Sequence, residues 1–431
     1  MKSNSFGKYF GITAFGESHG PAIGVVIEDV RSGIRFPLEE IQKALNERKP
    51  GKNKFSSTRQ EDDKLQVLSG VFEGKTTGMP ICLVIYNNDA RSKDYTHLKD
   101  IFRPSHADFS YFNKFKIYDY RGSGRASGRE TISRVAASGL ANDILGNVEI
   151  SAYPVQIGKF SITKFDENFT NNLHWKDSTN FTKLTEYLAK IQQSGNSVGG
   201  IVEVKIKNLP IGLGDPVFEK LDANLAKAIL SIGSVKGIEF GDGFQLAKMT
   251  GSEANDQMDK TGFRSNHSGG ILGGISNGNE IIFRFVVKPT PSINISQKTV
   301  TKSGEETIFK AKGRHDTCIV LRILPVAKAM VKLVLVDAIC HQKLISGENF
   351  NIVDYREALD KIDEDILIAL ARRKKISEKV KEFKQKNKID IEDKNRENEL
   401  ISTLKEKANL WKINTEFIKN IWQLILENSK K

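Results

Sequence analysis

The last 81 residues of the chain contain no glycine and no proline, whereas the first 350 hold all 35 glycines and all 11 prolines. An even spread of the 431 residues would place about nine of them there. Two differently built pieces therefore meet near Gly347, which sets expected domains at 1–347 and 348–431. Cysteine is also scarce. Cys82, Cys318 and Cys340 stand far apart with no CxxC pair, which excludes a disulfide framework and a zinc knuckle, and no metal site is expected. No apolar run approaches the ~18 to 20 residues that cross a bilayer, and the Met-Lys-Ser-Asn-Ser-Phe-Gly start lacks the apolar stretch of a leader. A soluble, cytoplasmic protein with no membrane partner is expected.

Arginine is the minority cation. Of 65 basic residues against 53 acidic ones, a balance of +12, only 18 are arginine, and ten of those lie between positions 31 and 134. The excess favours anionic partners without distinguishing nucleic acid from small phosphorylated or carboxylated metabolites. In a chain that otherwise uses lysine, clustered arginine points to bidentate anion recognition.

Up to about residue 345, short apolar strands (23–27, 81–86, 201–206 and 281–287) mix with helical stretches (38–46, 130–145, 217–230 and 325–341), with Gly-rich loops between them. This pattern predicts an α/β (α+β) domain. The stretch 160–197, rich in Asn, Ser, Thr and Lys, reads as a surface excursion around a helix near 184–193. Beyond it, Leu359, Ile362, Ile366, Leu370, Val380 and Phe383 recur mostly three or four residues apart on one long helix, 352–385. Two shorter helices, 393–407 and 414–428, complete a small all-α module whose long stripe needs a partner.

Four segments carry chemistry. Gly16-Glu17-Ser18-His19-Gly20 sets a histidine between glycines, where backbone can approach a ligand or simply turn. Arg103-Pro104-Ser105-His106-Ala107-Asp108 puts a second histidine beside an arginine. Arg121 to Arg134 interleaves arginine with glycine and serine ahead of a helix, so backbone N–H groups and guanidinium groups can share a phosphate. A dinucleotide fingerprint fits poorly, because no strand precedes this loop and no acidic ribose partner follows. Gly313-Arg314-His315-Asp316 offers an acid for proton transfer, or a helix cap. The arginines alternate with Gly and Ser and not with exposed aromatics, which argues against nucleic acid as partner.

Together with Asp119-Tyr-Arg-Gly-Ser-Gly-Arg-Ala-Ser127, Val235-Lys-Gly-Ile-Glu-Phe-Gly-Asp-Gly-Phe244 and Ser265-Asn-His-Ser-Gly-Gly-Ile-Leu-Gly-Gly-Ile275, these segments resemble chorismate synthase over residues 5–345. The resemblance implies a β-α-β sandwich and a trans-1,4-elimination of phosphate from 5-enolpyruvylshikimate 3-phosphate, giving chorismate. It further implies reduced FMN as cofactor, with NADPH as reductant if the chain reduces its own flavin, and a homotetramer. By similarity His19 protonates the leaving phosphate, His106 protonates or hydrogen-bonds the reduced flavin, and Asp316 assists proton removal at the flavin N5. Arg48, Lys54 and Arg129 would bind substrate or NADPH. Flavin contacts transfer onto Arg125, Ala126, Ser127, Gly233, Ser234, Gly273, Lys288, Pro289, Thr290, Pro291, Ser292 and Arg314. The chain departs from the family at Glu28-Asp29, Lys54, Gly128 and Lys328, none of them a proposed catalytic group. Lys54 replaces a bidentate arginine by a point charge.

In the helical module, Arg373 and Lys384 are eleven residues apart, share a face, and lie about 16 Å apart along the axis. Arg356 lies about 100° off that face, so if all three serve one ligand it comes from a second copy. Taken alone, such a charged module reads as a solvated dimerisation bundle. Arg356, Arg373, Lys384, Asp393, Arg396, Glu397 and Ser429 nevertheless resemble the all-helical class of chorismate mutase. This implies rearrangement of chorismate to prephenate, with Arg356 of the second copy, Arg373 and Arg396 on carboxylates, Lys384 on the ether oxygen and Glu397 on the ring hydroxyl. The helical modules would pair as dimers. The family's Gln or Glu four residues beyond Ser429 falls past Lys431, so a regulatory or purely dimerising module is the alternative reading.

Overall fold

A computed structural model describes residues 3–51, 53–56, 62–87, 98–311, 316–346, 352–390 and 392–430. The chain forms two compact units, Met1–Ser346 and Gly347–Lys431.

In the first unit one antiparallel sheet contains β1 (Ser5–Phe6), β2 (Ile12–Gly16), β3 (Ala22–Ile27), β4 (Gln66–Ser69) and β5 (Ile81–Tyr86), in the order β1-β2-β3-β5-β4. Ile23 lies opposite Ile85 and Val25 opposite Leu83, and all four are sealed from solvent. That face is the period-two stripe expected of a half-buried sheet. A second antiparallel sheet holds β6 (Glu149–Ile157), β7 (Phe160–Ser161), β8 (Gly200–Lys207), β9 (Val235–Phe240) and β10 (Ile281–Val287), ordered β9-β10-β8-β6-β7. Val202, Val204 and Ile206 alternate inward on β8, and Ile281, Phe283, Phe285 and Val287 on β10.

Between the sheets lie helices α1 (Leu38–Arg48), α3 (Thr131–Ser138), α5 (Leu221–Leu230) and α6 (Val320–Ser346); α2 (Asp108–Phe115) and α4 (Phe181–Gln193) complete the set used below. Helix α3 packs on β2, β3 and β5, while α6 packs on β6 and β8 and also meets α1, α3 and α5. The architecture is thus sheet, helices, sheet. Helix α6 is buried along most of its length, from Val320 through Val336 to Ile339, which explains its nearly uniform apolar sequence.

Three expectations need correction. The helix expected over 130–145 is interrupted after Ser138 by a 3₁₀ turn, Gly139–Ala141, and resumes as Asn142–Leu145. At Gly139 a Cβ would stand 2.3 Å from Ile41 Cγ1, so the close approach of α1 fixes this residue as glycine. The helix expected from 217 begins at Leu221, because Val217 and Phe218 sit exposed on a turn closed by the Asp215 N–H on Glu219 O at 3.0 Å. The 160–197 stretch is no surface excursion: Leu173, Trp175, Leu184 and Leu188 join the core. Its polar residues serve internal turns, with Asp177 accepting from the backbone N–H of Thr163, Lys164 and Thr179.

The second unit is all helical: α7 (Ile352–Lys386), α8 (Lys394–Leu410) and α9 (Thr415–Lys430). Asp393 caps α8 by accepting from Arg396 N–H at 3.0 Å, and Asn414 Oδ1 accepts from Glu416 and Phe417 N–H at the start of α9. Helix α9 packs on α7 and α8. Leu359, Ile362, Ile366, Leu370, Val380 and Phe383 all remain exposed, and among the described residues of this unit only Ala408 is buried. Among the described residues no helix is long and apolar enough to cross a membrane.

Candidate active site

The loop following β2 brings His19 into the first unit's interior, where it is 6% exposed. Asn87, at the end of β5, locks this loop by donating from Nδ2 to Glu17 O at 2.9 Å and Gly20 O at 2.7 Å, and its Oδ1 accepts from Arg129 Nε at 2.7 Å. Ser18 N–H reaches Gly124 O at 3.4 Å, which joins the His19 loop to the Arg121–Ala126 turn. Asp119 lies nearby. Burial would raise its carboxyl, but bonds from Arg121 and a smaller pull from His19 hold it below the usual range.

Asp63 organises the cations. Its Oδ2 accepts from Arg48 Nη2 at 2.8 Å and its Oδ1 from Arg129 Nη1 at 2.9 Å, with all three side chains buried. Arg322 Nη1 binds Asp316 Oδ2 at 2.6 Å. Burial lowers the Arg48 guanidinium, Asp63 opposes this, and the like charges of Arg322 and Arg129 add to it. Three guanidinium groups against two carboxylates leave a net positive, water-poor site suited to a multiply charged anion. Among the described residues, Arg48 Nε, Arg322 Nε, Ser18 Oγ and Thr290 Oγ1 are buried polar atoms with no hydrogen-bond partner in the protein. Such groups match a ligand that brings acceptors to them.

His106 belongs to a compact network at the start of α2. Arg103 grips Asp108 through Nε at 2.6 Å and Nη2 at 2.7 Å, and His106 Nδ1 lies 2.8 Å from Asp108 Oδ1. Burial lowers the imidazole pKa, a push opposed by the bond to Asp108 and aided by Arg103 and Lys288. Burial would raise Asp108, yet His106 and Arg103 hold it far below the carboxylate range.

The expected flavin contacts are distributed as follows. Lys288, directly after β10, donates from Nζ to Ser105 O at 2.7 Å and from its backbone to Ser234 O at 2.9 Å, so the 288–292 run and the Gly233-Ser234 turn border the His106 network. Ser127 Oγ accepts from Arg129 N–H at 3.3 Å. Arg125 turns toward β2, donating to Gly16 O at 3.2 Å, Ala14 O at 3.4 Å and Asn4 Oδ1 at 3.1 Å. Gly273 lies on the tip of the Ile271–Leu272 and Ile275–Ser276 hairpin, whose neighbour Gly274 abuts Lys220. Lys54 is exposed, with its ammonium 5.1 Å from the Phe55 ring centre. Arg314 lies outside the described residues. The orphaned Thr290 and Ser18 hydroxyls, with Lys288 beside them in the case of Thr290, suit the carbonyl and phosphate oxygens of a flavin mononucleotide.

Sequence reasoning missed Asp63 and Asn87. Asp63 sits in a short acidic run that reads as solvated surface, and Asn87 follows a strand as an ordinary turn residue would. Only tertiary pairing with Arg48 and Arg129 gives them roles.

In the helical unit, Arg373 Nη1 donates to Ser429 Oγ at 2.6 Å, and Ser429 Oγ donates to Ile425 O at 2.7 Å. Lys384, on the same helix, and Glu397, one turn into α8, are half-buried. Arg396 points to Glu399 at 3.1 Å with both side chains largely exposed. The Arg356 side chain lies outside the described residues.

A family model for chorismate synthase matches residues 10–340, and one for chorismate mutase type II matches residues 355–431. The chorismate synthase of Agathobacter rectalis is 49% identical over 349 residues, covering 79% of this chain and 95% of that protein. The chorismate synthase of Pelagibacter ubique is 47% identical over 353 residues, covering 78% and 97% respectively. A crystal structure of a chorismate synthase superposes with a TM-score of 0.61 at 28% identity, covering 84% of this chain and 98% of that one.

Proposed function

This chain belongs to the chorismate synthase family and carries a chorismate mutase type II domain behind it; from that premise we propose that it converts 5-enolpyruvylshikimate 3-phosphate to chorismate on reduced FMN and then chorismate to prephenate. The observation that carries the first step is the pair of buried cations Arg48 and Arg129 on Asp63, with the half-buried Arg322 on Asp316, and unpartnered donors among them and at Ser18 beside the buried His19.

The elimination breaks a ring C–O bond to phosphate and removes a ring proton. Arg48 and Arg129 hold anionic groups of the substrate in a low-dielectric site, where fixed cations act more strongly than in water. His19 gives a proton to the departing phosphate, which makes it a better leaving group. Asp316, its charge supported by Arg322, takes part in removing the ring proton. Arg125, Ala126, Ser127, Gly233, Ser234, Gly273, Lys288, Pro289, Thr290, Pro291, Ser292 and Arg314 would hold reduced FMN, whose electron-rich ring would supply electron density to the substrate with no net redox change. His106 serves the flavin through one ring nitrogen, the other being committed to Asp108. Lys54, with Arg48 and Arg129, would draw in substrate or NADPH.

In the helical unit, Arg373 and Arg396 clamp chorismate carboxylates, joined by Arg356 of a partner subunit. Lys384 stabilises charge on the ether oxygen as its bond breaks, and Glu397 holds the ring hydroxyl. Asp393 caps the helix that presents Arg396 and Glu397, and Ser429 braces Arg373. The exposed apolar stripe of α7 supports pairing of helical domains within a homo-oligomer, a tetramer of synthase domains. Lone cysteines and the lack of a spanning helix among the described residues support a cytoplasmic setting.

The test is phosphate release from 5-enolpyruvylshikimate 3-phosphate by the purified chain with chemically reduced FMN, without oxygen. His19→Ala should lower kcat by about 10²-fold or more, and no release by the unaltered chain contradicts the assignment. Replacing the chemical reductant by NADPH asks whether the chain reduces its own flavin.

A further inference from the structure

Ser123 occupies a left-handed backbone position, φ +73°, where glycine is favoured. Its side chain is nevertheless buried and bonded. Arg103 Nη2 donates to Ser123 Oγ at 2.7 Å, and Ser123 Oγ lies 3.3 Å from His106 Nε2. The direction of each bond follows from donor chemistry. Arg103 Nη2 also stands 3.2 Å from His106 Nδ1, but its two hydrogens are taken by the shorter 2.7 Å bonds to Asp108 and Ser123; Asp108 is an ionised carboxylate and only accepts, so the 2.8 Å contact from His106 places a proton on Nδ1. Arg103 only donates, so the Ser123 oxygen is its acceptor. The hydroxyl proton is then left for the lone pair on Nε2. Arg103, Ser123, His106 and Asp108 close a ring of directed bonds, completed by Arg103 on Asp108.

We propose that Ser123 is a positioning residue for His106, its hydroxyl bridging Arg103 and the imidazole Nε2 so that the ring is held as the Nδ1–H tautomer with Nε2 as its proton-exchanging atom. This rests on the synthase reading for its catalytic consequence, but the bond pattern itself does not. Because Nδ1 is committed to Asp108, any proton that His106 gains or gives passes at Nε2, beside Ser123 Oγ. Donation to Nε2 favours the neutral ring. The charged groups acting on that ring are Asp108, Arg103 and Lys288, the last through the segment after β10. Two are cations that also favour the neutral ring, and Asp108 opposes them. Loss of the hydroxyl removes one contribution to neutrality and moves His106 toward a higher pKa. A serine held in a glycine-like conformation is accounted for by this bridge.

The test uses the full chain with histidine-selective ¹⁵N labelling, His106 being assigned by comparison with His106→Gln. Ser123→Gly suits the left-handed backbone, so its Tm should equal or exceed that of the parent; Ser123→Ala keeps the Cβ and serves as the second variant. In both, the His106 titration should move to higher pH and the limb of the kcat profile that tracks it should move with it, with kcat lowered about tenfold. An unchanged His106 titration in the folded variants overturns the proposal, whether or not turnover falls. If the parent chain releases no phosphate, the synthase reading fails while the titration still decides the role of Ser123.

Discussion

Arg129 Nη1 and Asp63 Oδ1 stand 2.9 Å apart with both side chains closed to solvent, and the second oxygen of Asp63 takes Arg48 at 2.8 Å. One carboxylate thus holds two buried cations from different segments. Asp63→Ala removes the carboxylate that both buried guanidinium groups share. It should cost about 3 to 5 kcal/mol of stability and raise KM at least tenfold, read by urea unfolding and steady-state kinetics. A variant as stable as the parent with unchanged KM would show that Asp63 organises nothing.

Asp177 makes acid stability testable. Burial would raise its carboxyl, but bonds from Thr179, Thr163 and Lys164 hold it far below the usual range. A group depressed in the folded state stabilises above its unfolded pKa of about 3.9, and this contribution fades as pH falls through the folded value. Asp177→Ala should therefore lose about 2 to 3 kcal/mol at pH 7, with the gap to the parent narrowing below about pH 4. A gap that widens on acidification contradicts the sign.

At Gly139 the prediction is steric. Gly139→Ala forces a methyl against Ile41 and should cost about 1 to 3 kcal/mol, while Ile41→Ala in the same chain should recover part of that loss. Strict additivity in thermal or urea unfolding, with no coupling between the two, would remove the close approach as the reason for glycine.

The two reactions should separate by mutation. Arg373→Ala or Lys384→Ala should lower conversion of chorismate to prephenate by about 10²- to 10³-fold and leave phosphate release intact. His106→Ala should do the reverse. Product analysis by chromatography reads both, and loss of phosphate release in Lys384→Ala would contradict the division of labour.

Much of this was legible from sequence where one rule dominates. The strands Ile81–Tyr86 and Ile281–Val287 are apolar runs bounded by turn residues, and their limits follow directly. The long helix Ile352–Lys386 follows from apolar spacing without Gly or Pro. What escaped depends on contacts between distant segments: glycine at 139 answers to Ile41 in α1, and burial of Trp175 comes with turns that satisfy Asp177 and Asn180. In the site, the histidines and most arginines stood out because they are rare types in Gly-rich surroundings. Asp63 and Asn87 did not, since their types are common on surfaces and only their partners distinguish them.

The central claim is that a single chain carries both steps. The direct measurement is an anaerobic time course of the full chain with 5-enolpyruvylshikimate 3-phosphate and chemically reduced FMN, following phosphate, chorismate and prephenate together. Phosphate release should equal the sum of chorismate and prephenate, with chorismate rising first and then giving way to prephenate. Release of phosphate with chorismate accumulating to the end contradicts the second activity, and no release of phosphate contradicts the first.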